Sequence, residues 1–143
     1  MNTLVVMLRI GGCSAAISAC EVQSVIELDA IRSLPRTPDF VTGIAAMRSQ
    51  SLTVIDTRRA LALQTDIEAG ERAAVVTVDG HPYALQCDRI DDVAEALTEP
   101  VAIPGGLGDR WQHAAHGLVE TDHGPTVLLD IARLVRGPST AAA

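Results

Sequence analysis

The residues of this chain whose types and spacing reach toward chemistry are its histidines, cysteines, one acidic cluster and one glycine run. His113 and His116 stand at H-x-x-H spacing, with His123 seven residues further on. That spacing brings two ligands together only on a helix, and no Cys, Asp or Glu stands at a matching offset to complete a tetrahedral site. The histidines therefore read as surface loop residues, and no metal is expected. Gly105-Gly106-Leu107-Gly108 lacks the Gly-Lys-Ser/Thr ending of a phosphate loop and follows no strand directly, so it reads as a flexible connection. Cys13, Cys20 and Cys87 form no C-x-x-C pair and carry no Cys–His signature, and no G-x-S-x-G elbow occurs. They read as free thiols in a reducing compartment, serving as small buried hydrophobes. Asp88, Asp91 and Asp92 read as a solvated turn. No catalytic constellation emerges, so the expectation is a protein that is not an enzyme and takes no cofactor.

Composition narrows the function further. The chain has 143 residues, 48% of them hydrophobic, but one Phe, one Tyr and one Trp, so its interior must be aliphatic. Its length suits one domain or two small units sharing a core. The net charge is −7, and all 11 cationic residues are Arg. An acidic chain without a basic cluster speaks against nucleic acid and against an anionic membrane surface. Arg9 interrupts the apolar stretch Leu4–Leu8 far short of a membrane span or an export signal, so no direct membrane insertion is expected and the location reads as cytoplasmic.

The elements that would position any site are short strands and turns. Leu4–Ile10 and Cys13–Ser18 flank Gly11-Gly12, a hairpin signal. Val22, Val25, Ile26 and Leu28 follow as a bend and a strand, closed by the helix-averse Leu34-Pro35 and Thr37-Pro38. Gly43–Met47 and Leu52–Ile55 read as strands joined by a turn at Arg48-Ser49-Gln50-Ser51. Asp56 caps a short helix reaching about Leu63, its carboxylate accepting from the free amides of the first turn. Gln64–Gly70 is polar and serves as a junction. Ala73–Val78, Asp79-Gly80 and Tyr83–Cys87 form a second-half hairpin, and Asp88–Leu97 is mixed. A Pro100–Gly108 loop follows, then a hairpin of Ala114–Glu120, Asp122-His123-Gly124 and Thr126–Leu129. Asp130 caps a last helix, Ile131–Val135, stopped by Gly137-Pro138.

The two halves resemble each other. A shift of 68 (78 − 10) pairs Ile10/Val78, Gly12/Gly80, Ile17/Leu85, Val22/Ile90 and Val25/Val93 without a gap. A shift of 74 (128 − 54) pairs Gly43/Gly117, Val54/Leu128, Ile55/Leu129, Asp56/Asp130, Arg59/Arg133 and Leu61/Val135. Turn glycines and capping aspartates recurring in one order point to two similar small β-barrels in tandem, packed on each other.

Residues Asp39–Leu61 carry a sharper signal. Pro38, Phe40, Val41, Gly43, Ile44, Met47, Arg48, Val54, Ile55, Asp56 and Arg58 together resemble the CheW-like domain family, the coupling module of bacterial chemosensory arrays. Ser49 and Thr53 stand where that family usually has Gly and Pro. The resemblance runs from Leu4 to Val135. It implies an all-β protein with short helices, built as two tandem pseudo-duplicated five-stranded SH3-like barrels with an apolar groove between them. Subdomain one would cover about 1–66 and subdomain two about 67–143, with the C-terminal helix 131–135 packing back on the first. The resemblance further implies a non-enzymatic adaptor between the cytoplasmic tip of a chemoreceptor and the regulatory domain of the histidine kinase CheA, recruited to membrane-bound receptor arrays. It places Arg48 and Ser49 at the tip of the receptor-binding hairpin, and Val22 and Gly43 at receptor contacts; it leaves the kinase-binding residues unassigned. The competing readings are a degenerate CheW-like protein without coupling activity and a small β-barrel that binds a ligand.

Overall fold

The computed structural model describes residues 3–28, 30–47, 49–61, 70–102 and 114–136. Ten strands run in the order β1 (Thr3–Ile10), β2 (Cys13–Ser18), β3 (Val22–Glu27), β4 (Val41–Met47), β5 (Gln50–Asp56), β6 (Arg72–Val78), β7 (His81–Gln86), β8 (Arg89–Ala96), β9 (Ala115–Thr121) and β10 (Gly124–Leu129). Among the described residues, one 3-10 turn, Ala19–Glu21, and two short helices, α1 (Thr57–Ala60) and α2 (Ile131–Arg136), accompany them.

The strands form two five-stranded sheets, β8-β1-β2-β10-β9 and β3-β6-β7-β5-β4. Each sheet closes through the segment that leaves its edge strand. After β8, the Leu97 amide donates to Glu120 O at 2.7 Å, and Val101 bridges to Leu118 on β9. After β3, whose pairing with β6 runs on through the Leu28 amide to Glu71 O at 2.6 Å, Arg32 bridges to Ile44 on β4. Closure of this kind protects strand edges that would otherwise invite pairing with other chains. The two units are the tandem SH3-like barrels expected from the sequence.

Sheet membership, however, does not follow the halves of the sequence. The hairpin β1–β2 belongs to the sheet of β8, β9 and β10, while β6–β7 belongs to that of β3, β4 and β5. Each sequence half thus contributes strands to both barrels. The exchange is symmetric down to register. Thr53↔Tyr83 and Val54↔Ala84 between parallel β5 and β7 recur as Val127↔Ala15 and Leu128↔Ala16 between β10 and β2. Val22↔Val76 and Val25↔Ala74 recur as Ile90↔Leu8 and Val93↔Val6. The bulge that skips a residue between Val41 and Gly43 on β4 recurs between Ala115 and Gly117 on β9. These are the shifts of 68 and 74, carried by hydrogen bonds.

Exchange explains why β1 reads as an unbroken apolar run instead of alternating. Val5 and Met7 enter the interior of the first barrel with Ala16, Ala94, Ala96 and Val119. Val6, Leu8 and Ile10 face the opposite way, into a central cluster shared with Ile55, Ala74, Val76 and Leu85 of the other sheet. β6 repeats this, with Ala73 and Val75 inside the second barrel and Ala74 and Val76 in the centre. Strands buried on both faces need apolar residues at every position. Ala60 and Leu61 at α1 and Ile131 and Leu134 on α2 complete the central cluster, and α2 lies against α1 and β6.

Several local expectations need correcting. β5 begins at Gln50, which pairs with Met47, and Ser51 pairs with Ala46, so the turn is shorter than Arg48–Ser51. The mixed stretch Asp88–Leu97 is mostly one strand, β8, because its inner face needs only the small Ala94 and Ala96. The cysteines are not uniformly buried: Cys13 and Cys20 are exposed and Cys87 is buried, and all three are free. Burial, with the neighbouring Asp88 and Asp91 adding to it, pushes the Cys87 thiol from 9.0 up to about 12 against a smaller lowering by a backbone hydrogen bond at Arg89. The thiolate is the reactive form. At pH 8 we therefore expect a disulfide reagent to modify two thiols of the native protein quickly and the third only after denaturation. Three fast thiols would contradict the burial of Cys87. Between 9.0 and about 12 the folded thiol keeps a proton that the unfolded one has lost, so this group lowers stability as pH rises across that window.

Candidate partner-binding surface

The β4–β5 hairpin is the rigid base of the expected site. β5 lies between β4 and β7, paired on both edges, so its register is set twice. Leu52 and Val54 point into the second barrel and Ile55 into the central cluster, all three essentially inaccessible. Ser49, exposed at the tip, has φ 69, the left-handed region that glycine occupies without strain. Glycine, which the family resemblance leads one to expect here, would take this conformation freely, and Ser takes it instead. Thr53 sits mid-strand with partners on both sides, where a proline would remove a ladder hydrogen bond. Arg48 lies outside the described residues.

Gly43 is buried, because the chain leaving β3 crosses directly over it. A Cβ there would collide with the Arg32 carbonyl oxygen and stand 2.8 Å from both Arg32 C and Ile31 Cγ2. Val22, at the start of β3, is half-buried and packs against the central cluster while pairing with Val76. Gly43 and Val22 are thus parts of the framework, and Ser49 alone of the described candidates is openly presented.

The hairpin is anchored where β5 runs into α1. Asp56 accepts from the Arg58 amide at 3.1 Å, as a helix cap should. It also holds the Arg58 guanidinium bidentately, Nε to Oδ1 at 3.1 Å and Nη2 to Oδ2 at 2.9 Å. The Arg59 Nε stands 3.8 Å from Oδ2. Sequence reasoning found the cap and not the clamp; an arginine two residues after a capping aspartate was the available signal. The equivalent Asp130 caps α2 with a single 3.3 Å bond from the Arg133 amide, plus an open ion pair to the Arg133 Nε at 3.6 Å.

The remaining candidates fall apart spatially or become structural. His113 and Gly105–Gly108 lie outside the described residues. His116 is on β9 and His123 in the turn to β10; among the described residues, no group of three His, Cys, Asp or Glu side chains is placed to hold a metal ion. Asp88 is not a solvated turn residue. Its Oδ2 accepts from the Gly12 amide at 2.7 Å and its own amide donates to Arg9 O at 2.9 Å, tying the β1–β2 turn to the β7–β8 junction. Asp91 pairs with Arg89 at 2.6 Å on β8. Exposed aliphatic side chains went unnoticed in sequence: Val25 on β3 and Val93 on β8, 45% and 56% exposed, occupy equivalent edge strands under the shift of 68. Leu4 on β1, paired with Glu95 of β8, is 51% exposed.

This architecture of two register-matched barrels with exchanged hairpins can be set against known proteins. Residues 4–139 match the CheW-like domain family. The chain is 24% identical over 114 residues to the chemotaxis protein CheW of Thermotoga maritima, covering 80% of this chain and 75% of that one. Its fold is similar to the crystal structure of the scaffolding protein TtCheW from Thermoanaerobacter tengcongensis, with a TM-score of 0.79, 19% identity, and coverage of 90% of this chain and 89% of that chain. The chain belongs to the CheW-like domain family. It is a coupling adaptor of chemotaxis signalling.

Proposed function

We propose that this adaptor is non-enzymatic and joins the regulatory domain of the histidine kinase CheA to the cytoplasmic tip of chemoreceptors, in the cytoplasm at membrane-bound arrays. The family match over residues 4–139 carries the reading. The rigidity of the β4–β5 base supports it, since a loop tip on a fixed scaffold loses little entropy on binding. Arg48 and Ser49 form the receptor-contacting tip in this proposal. Gly43 and Val22 act through the framework, Gly43 by admitting Ile31–Arg32 across the back of the hairpin. Val25 on β3 and Val93 on β8 offer exposed aliphatic surface, one area on each barrel, for barrel-to-barrel contact with the kinase domain. No helix among the described residues is long and apolar enough to cross a membrane, in keeping with recruitment by receptors. With no reaction of its own, the adaptor transmits a signal by binding two states of a partner with different affinity.

Capture on immobilised receptor tip and, separately, on the kinase regulatory domain tests this. Arg48→Ala, at a position that the sequence reads as a hairpin tip, is expected to leave stability within about half a kcal/mol of the parent. Receptor affinity should fall by about 1–3 kcal/mol, the range for a charge-assisted contact, with kinase capture retained. A melting temperature many degrees lower with receptor affinity intact would make Arg48 structural. A parent protein that captures neither partner would overturn the adaptor reading.

A further inference from the structure

The two barrels are alike in register but not in what fills them at the end where β1 turns into β2. In the second barrel the equivalent end is apolar inside: Leu52 is fully buried, and Met47 packs against the same interior cluster. The shift of 74 puts Thr121 in the place of Met47 and Thr126 in that of Leu52. Both threonines are buried, and their hydroxyls lie 3.3 Å apart. Thr121 Oγ1 also accepts from the His123 amide at 3.1 Å, which fixes the β9–β10 turn. The shift of 68 likewise puts Arg9 in the place of Thr77, Ser14 in that of Pro82, and Asp92 in that of Ser24. In the first barrel, hydroxyls thus replace apolar side chains inside, and ionised residues replace neutral ones at the rim.

This rim holds a cavity of about 440 Å³. Arg9 of β1, Ser14 of β2, Arg89, Asp91 and Asp92 of β8, and His123 of the β9–β10 turn line it. All six are exposed, so their polar groups are open to a ligand, whereas Met7 and Leu8 behind them are buried. Strand register arranges the charges. Arg9 stands opposite Ser14 on one side and opposite Arg89 on the other. Two like charges directly across a strand pair repel. Arg89 is neutralised by Asp91, Nε to Oδ1 at 2.6 Å. Arg9 has no such carboxylate: among the described residues its guanidinium donates only to Gly12 O, at 3.3 Å. The Asp92 carboxylate, further along β8, has no ion-pair or hydrogen-bond partner among the described residues. One unpaired cation and one unpaired carboxylate therefore line the same cavity without meeting. A simple anion drawn to Arg9 is repelled by Asp92, and a simple cation drawn to Asp92 is repelled by Arg9; a molecule carrying both charges satisfies both.

We propose that this end of the first barrel binds a small zwitterion, a free α-amino acid. The α-carboxylate lies on the Arg9 guanidinium, whose planar fork matches it, with the Ser14 hydroxyl beside it, and the α-ammonium faces Asp92. The ligand's side chain must be small or polar, because no accessible apolar wall is there to cover a larger one. The site belongs to the barrel that lacks the β4–β5 hairpin, so it is separate from the receptor-contacting tip.

The test uses the full protein with amide NMR titrations against glycine, acetate and methylammonium at constant ionic strength. Glycine carries both charges, and each of the other probes carries one. Glycine is expected to shift the amide signals of Ser14, Asp92 and His123 and to bind roughly fivefold more tightly than either single-charge probe, the upper end for one exposed charge pair. Asp92→Asn is expected to weaken glycine to the level of acetate, and Arg9→Gln to that of methylammonium. Both positions are exposed, and an amide spectrum unchanged elsewhere shows that each variant stays folded. The double variant Arg9→Thr with Asp92→Ser, which copies the second barrel, is expected to abolish the shifts. No binding of glycine, binding no tighter than that of acetate or methylammonium, shifts confined to another surface, or undiminished glycine binding in either folded single variant would each overturn the proposal.

Discussion

Asp56→Ala is expected to destabilise the protein by about 3 kcal/mol, the lower end of the range for breaking a buried ion pair. The Asp56 side chain is 8% exposed and that of its partner Arg58 16% exposed. Its removal takes away the carboxylate that holds the guanidinium bidentately and deletes the cap of α1 in one step. For a chain of this length the melting temperature should fall by on the order of 10 °C. Asp130→Ala is the internal control, because it occupies the equivalent position in the duplicate. There the aspartate is 28% exposed, its arginine 56%, and the cap bond longer, so a loss of about 1 kcal/mol or less is expected. Thermal and urea unfolding of both variants decides the matter. Equal losses would mean that the clamp at Asp56 adds nothing beyond a surface cap.

Gly43→Ala is expected to cost about 2–4 kcal/mol, as overpacking against backbone does when a hydrogen-bonded bridge must shift as well. The added methyl meets the Arg32 carbonyl, which cannot retreat without loosening two bonds, Arg32 N to Ile44 O at 2.9 Å and Ile44 N to Arg32 O at 2.8 Å. Gly117→Ala should be milder. Its Cβ would stand 2.9 Å from Val101 O and from the Cβ of Pro100, an exposed residue with room to move. Faster amide exchange at Arg32 and Ile44, together with the fall in melting temperature, would mark the opened bridge. This outcome bears on function too. If Gly43→Ala weakens receptor capture only in proportion to unfolding, Gly43 supports the hairpin. Full stability with lost capture would make it a direct contact.

The candidate surface was legible in sequence as far as its parts are local. The hairpin, the capping Asp56 and the exposed tip at Ser49 each depend on a few neighbouring residues, and those residues carry the signal. The functions of Gly43, Asp88 and Arg58 were not legible in the same way. Gly43 answers to Arg32, which reaches β4 only after the chain has crossed from β3. Asp88 answers to the Gly12 amide, 76 residues away. Arg58 needed the depth at which Asp56 is buried, since the same pair of residue types on an open surface contributes little.

By itself, the sequence determined that the chain is built of short strands and turns, that its interior is aliphatic, and that one strand–turn–strand–bend–hairpin–helix order occurs twice. These follow from turn glycines, capping aspartates and apolar spacing, all of short range. Only the tertiary structure decided which hairpin belongs to which barrel. Because the halves are near-duplicates, β1–β2 and β6–β7 present closely similar apolar patterns, and either could pair beside β5 or β10 by pattern alone. What separates the arrangements is burial: exchange sets β1 and β6 between a barrel interior and the shared central core, covering both faces of two strands that are apolar throughout. Left within their own halves, the hairpins would not tie the two barrels together, and the hydrophobic effect favours the arrangement that removes most of that surface from water.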